Sequence, residues 1–204
     1  MTPPLRIPRR TAALRRGFTL VEAIISMSVM AVAGVTVLVG ISSALQSTDK
    51  AVQQQIADGM ARQLIDEIAG KLYSAAGTGP YTTTLGPNSV ELAGPGRSLF
   101  DDIDDFHNFR AQRPEDPRGQ ALGSEDDFGG SRHTSFRVPS AMLADLRQEI
   151  DVYYVSDSDQ SAALSGSQTS NSRAVEVRIY VVDSHDGKRL LTRVRRVFSY
   201  FPEM

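Results

Sequence analysis

Residues 15–23 read RRGFTLVEA, and after Glu22 the chain carries no charge until Asp49. Glu22 is therefore the one ionisable side chain in the apolar stretch that opens at Phe18. An ionised carboxylate in hydrocarbon is costly, and acids found there as a rule have a partner and a role. Ala23–Thr48 spans 26 residues, roughly 39 Å as a helix at about 1.5 Å per residue. A hydrocarbon core is about 30 Å thick, so the stretch is long enough to cross it. A secretory signal has a shorter apolar region, about 7–15 residues, followed by a small-residue cut site. This run exceeds that length and lacks an Ala-x-Ala site before the polar region. The pattern predicts a transmembrane helix over residues 18–47.

Charge is distributed unevenly around this helix. Residues 1–17 hold Arg6, Arg9, Arg10, Arg15 and Arg16 and no acid. Removing those five from the 22 basic residues leaves 17 against 24 acids, so residues 18–204 sum to −7. A basic head, an apolar span and an acidic body form an export pattern, with the N-terminus in the cytoplasm and the body outside it. Cysteine is absent, which excludes disulfide staples, thiolate metal sites and cysteine catalysis.

RRGFTLVEA resembles the prepilin signature of type IV pilins and type II secretion pseudopilins. In that family a short basic leader ends in glycine, the mature chain starts with phenylalanine, and its fifth residue is glutamate. The resemblance implies a leader over Met1–Gly17, with Arg9, Arg10, Arg15 and Arg16 as its basic residues. It implies cleavage between Gly17 and Phe18 by prepilin peptidase and N-methylation of Phe18. Glu22 becomes an assembly determinant, pairing with the Phe18 amine of a neighbouring subunit and so relieving the cost of its charge. The implied location is the bacterial inner membrane, single-pass. The implied partners are membrane lipid, other pilin-like subunits and the inner-membrane assembly platform.

Beyond the membrane the helix is predicted to continue over residues 48–76. Val52, Ile56, Met60, Leu64, Ile68 and Leu72 recur every four residues among polar neighbours, an amphipathic pattern that Gly77 would end. The remainder, 77–204, is expected to form an exported head with irregular loops. Residues 81–98 suggest a short strand or hairpin, 113–133 a long loop, and 140–148 a short helix or the approach to a strand. Residues 149–155, 174–182 and 190–200 read as strands, and the Asp-Gly in 183–188 marks a hairpin loop. The fold class is α+β: a long N-terminal helix against a C-terminal antiparallel sheet, pilin-like.

Within the head, FDDIDDFHNF (100–109) concentrates Asp101, Asp102, Asp104 and Asp105. Clustered carboxylates suit calcium, a hard cation that takes six to eight oxygens. A solvated acidic turn with Phe100, Phe106 and Phe109 as packing anchors is the competing reading, and SEDDFGG (124–130) is a second, weaker cluster. His107, His133 and His185 show no zinc spacing, and no nucleophile elbow, P-loop or dinucleotide fingerprint is present. No cofactor is required by the sequence, and an enzyme is not expected. Lys188, Arg189, Arg193, Arg195 and Arg196 with Arg178 make the last hairpin basic. Pairing with Glu176 or solvation accounts for them, and nucleic acid is not an expected partner. The combined expectation is a minor pilin or pseudopilin, cleaved and assembled into a type IV pilus or type II secretion-type filament. The alternative is a stand-alone membrane-anchored envelope protein whose head binds calcium or polysaccharide.

Overall fold

Helix α1 runs from Leu20 to Ala69 without a break at Gly34 or Gly40. The computed structural model describes residues 18–75, 77–123, 133, 138, 140–183 and 187–201. The chain divides after Thr48 into an N-terminal unit and a globular unit, Asp49–Met204. In the first unit no described side chain of α1 is buried within the chain. Ser26, Ser28, Thr36 and Thr48 each donate their hydroxyl to a carbonyl three or four residues back, at 2.8–3.0 Å. That local bonding satisfies the hydroxyls within the helix itself.

In the globular unit α1 buries Ala57, Met60, Ala61, Leu64, Ile65 and Ile68. Their spacing alternates three and one, which keeps them on one face at 3.6 residues per turn. The predicted every-four stripe holds only in its middle. Each step of four overshoots a turn by about 40°, so Val52 and Leu72 lie roughly 200° apart around a helix axis. The helix also stops earlier than predicted, at Ala69 rather than beside Gly77. Gly70 donates to both Asp66 O at 3.3 Å and Glu67 O at 3.2 Å, the shared bond common at helix ends. Leu72 then leaves the helix and is 57% exposed.

A four-stranded antiparallel sheet, ordered β1-β2-β3-β4, covers the buried face of this helical segment. Its strands are β1 (Phe109–Ala111), β2 (Leu146–Val155), β3 (Ser172–Asp183) and β4 (Gly187–Ser199). Alternation decides the faces. Ile150 and Val152 of β2 stand opposite Val177 and Val175 of β3, and all four are fully buried with Leu146 and Ile179. Fully burying each such side chain contributes about 1.5–3 kcal/mol. The three predicted strands are present and longer than expected. Strand β1, only three residues, was not predicted, and residues 140–148 supply both a short helix α2 (Ser140–Ala144) and the start of β2.

No strand forms over 81–98, where turns lead into a 3-10 turn at Glu91–Ala93. This connection is held by specific contacts. Arg97, 1% exposed, makes a two-bond fork to Glu67 of α1 at 3.1 and 3.0 Å and lies over the Phe109 ring. Gly96, at φ +58°, meets Gly119 so closely that a Cβ would stand 2.2 Å from the Gly119 nitrogen, so only glycine fits. The result is the expected α+β arrangement of a long helix against a C-terminal sheet.

Candidate functional site

At the start of α1, Phe18 and Thr19 precede the first helical residue, Leu20. Thr19 O accepts from Ala23 N at 3.1 Å, and Thr19 Oγ1 accepts from Glu22 N at 3.3 Å. Thr19 is therefore the N-cap, and Thr-x-x-Glu is half of a capping box. The signal stands in the sequence as residues 19–22, although the motif reading there emphasises only Glu22. Glu22 itself occupies the first turn, where the helix's positive end favours a carboxylate by about 0.3–1 kcal/mol. Its side chain is exposed, and among the described residues nothing donates to its carboxylate. Phe18 is 72% exposed. The arrangement leaves an unspent acceptor one turn from the chain position where a free amine would lie after cleavage. Gly17 and the leader arginines Arg9, Arg10, Arg15 and Arg16 lie outside the described residues.

The acidic turn of the head is not solvated. Asp102, Asp104 and Asp105 are buried, and only Asp101 is exposed. Phe100 and Phe106 do anchor it, meeting edge-to-face at 5.2 Å between centroids in the core. Asp102 Oδ1 accepts from Asp104 N at 2.8 Å and Asp105 N at 3.2 Å. Asp105 Oδ2 accepts in return from Asp101 N at 2.8 Å and Asp102 N at 3.1 Å. The pair thus forms a reciprocal capping box around the 3-10 turn Asp104–Phe106. Asn88 and Glu91 form a second one: Asn88 Oδ1 accepts from Glu91 N at 3.1 Å, and Glu91 Oε2 accepts from Asn88 N at 2.6 Å.

The four aspartates predicted as one ligand set are therefore divided by the fold. Asp104 turns to Arg173, at 2.7 Å, and Asp102 is used by the turn. Asp101 and Asp105 instead converge with Glu91, their nearest oxygens all within 4.8 Å of one another. Burial pushes Asp105 up to about 7, helped by its contact with the Glu91 carboxyl. Burial and a hydrogen bond with Asp102 also push Asp104 up to about 7, against the pull of Arg173. Arg173, fully buried, binds Asp104, the carbonyls of Tyr73 and Pro80, and the Tyr154 hydroxyl. It ties three segments of the head together, and its role was missed because a strand arginine carries no sequence signal of burial. SEDDFGG lies outside the described residues.

The basic hairpin is largely neutralised on the sheet face turned away from α1. Arg193 meets Glu176 at 2.5 Å and Arg178 meets it at 3.7 Å. Arg178 also pairs with Asp151, and Lys188 with Glu149. Arg110 of β1 joins this network through Asp151 at 2.5 Å, and Arg195 Nε donates to Tyr153 Oη at 3.0 Å. Beside the C-terminal half of β2, past its pairing with β1, lies a cleft of about 410 Å³ lined by Thr83, Thr84, His107, Tyr153, Tyr154 and Gln168 among others. His107 Nδ1 there accepts from Val152 N at 3.4 Å, and burial lowers its pKa.

Residues 13–38 match the family model of the prokaryotic N-terminal methylation motif. The chain thus carries the signature of type IV pilins and pseudopilins. Neither a curated protein nor a solved structure matches the chain.

Proposed function

We propose that this chain is a minor pilin or pseudopilin of a type IV pilus or type II secretion-type machine. Prepilin peptidase cuts between Gly17 and Phe18, and α1 holds the subunit in the bacterial inner membrane with the head outside the cytoplasm. The helix then enters a filament core, where Glu22 pairs with the Phe18 amine of the neighbouring subunit. The observation that carries this reading is the methylation motif at 13–38, set on a helix whose Glu22 carboxylate has no partner among the described residues. An apolar surface of this size, exposed from Phe18 to Leu45 among the described residues, calls for lipid before assembly and protein after it.

Glu22→Val tests the pairing. Removing the charge makes the helix more apolar, so the variant is inserted and cleaved as before. It is expected not to enter filaments or co-purify with pilin-like partners. Normal assembly of the valine variant would mean that the carboxylate is only tolerated.

A further inference from the structure

We propose that Thr19 is a positioning residue for leader removal: by capping α1 it keeps Phe18, the residue that follows the scissile bond, outside the helix. The proposal rests on the processing step described above. An α-helix leaves its first four N–H groups without an internal partner. They are satisfied either by a cap or by lengthening the helix backwards, so that upstream carbonyls become their acceptors. At the edge of a membrane, where water is scarce, a helix end gains by taking either route. Here the cap is made: Thr19 Oγ1 takes the Glu22 N–H, and the first helical bond closes on Thr19 O. Ala12, Ala13, Leu14, Arg15 and Arg16 are all good helix formers, so without the cap the helix has a path toward the leader. Gly17, a poor helix former, opposes that extension, and the Thr19 hydroxyl adds to the same preference. A scissile bond drawn into a helix has its N–H and C=O engaged and is poorly presented to a protease, which acts on a locally unwound chain.

The test uses the full-length precursor in membrane vesicles containing prepilin peptidase, with loss of Met1–Gly17 followed by mass against time in the membrane-inserted fraction. Thr19→Val keeps the shape and removes the acceptor. Thr19→Ser and Thr19→Asn keep an acceptor, and asparagine has a different shape from threonine. The expected result is cleavage about fivefold slower for Thr19→Val, the rate equivalent of ~1 kcal/mol, with Ser and Asn both near wild type. Wild-type kinetics for Thr19→Val would overturn the proposal. So would a slow Thr19→Val rescued by Ser and not Asn, because the peptidase would then be reading the side chain itself. An uncleaved wild-type precursor would instead overturn the processing step on which the proposal rests.

Discussion

Asp105→Asn isolates the proton that the acidic turn holds. In the native turn one Asp105 oxygen accepts from Asp101 N and Asp102 N, while the carboxyl faces Glu91. Asparagine reproduces the protonated acid: its oxygen keeps both backbone bonds and its amide donates toward Glu91. A carboxyl raised from its ordinary 3.8 to about 7 is protonated in the fold and ionised in the unfolded chain between those values. Its contribution is fully present below pH 4 and is lost as pH rises through 7. From pH 5.5 to 8 the unscreened loss is about 2 kcal/mol, and solvent at exposed Asp101 reduces it to ~1 kcal/mol. For a head of this size that corresponds to about 2–4 °C in Tm. Thermal melts of the full chain in detergent, followed by near-ultraviolet circular dichroism, provide the assay. Wild type should melt lower at pH 8 than at pH 5.5, and Asp105→Asn should lose much of that difference and be the more stable of the two at pH 8. His107, lowered by burial, pulls the other way below about pH 6.5 in both proteins alike, so the comparison cancels it. A variant less stable than wild type at both pH values would refute the shared proton.

Arg173→Ala should cost about 1–3 kcal/mol, because it leaves the Tyr73 carbonyl and the buried Asp104 carboxyl, which then takes up a proton, without their donor; an unchanged denaturant midpoint would contradict that role. A calcium ion at Glu91, Asp101 and Asp105 would have to displace the proton. Any calcium-dependent rise in Tm should therefore grow from pH 6 to pH 8 and shrink in Asp105→Asn, while indifference to both calcium and chelator at pH 8 assigns the turn to packing alone.

How far the sequence speaks depends on what kind of force holds each part. The first half of α1 is legible because an uninterrupted apolar run of that length reads as one helix from composition alone. The strands are legible because Val175, Val177, Ile179 and Val181 alternate with polar neighbours, and one face is buried. The soluble half of α1 was read through its large residues alone. Ala57 and Ala61, fully buried, carry little apolar weight, yet their small size lets the sheet approach. Residues 78–123 have no period to read, since Arg97, Asp102 and Arg173 fix them by single polar contacts between distant segments. The acidic turn illustrates the same limit: composition shows only a cluster of carboxylates, whereas the Asp-x-x-Asp spacing of 102–105 is what marks the capping box. The Thr-x-x-Glu of 19–22 was another.

The central claim, a pilin-type subunit released from its leader, is tested most directly by the mass of the mature N-terminus in cells that contain the peptidase. The account predicts a chain that has lost Met1–Gly17, begins at Phe18 and carries one methyl group on its amine. A mature chain that begins at Met1, or downstream of Ser43, would contradict it.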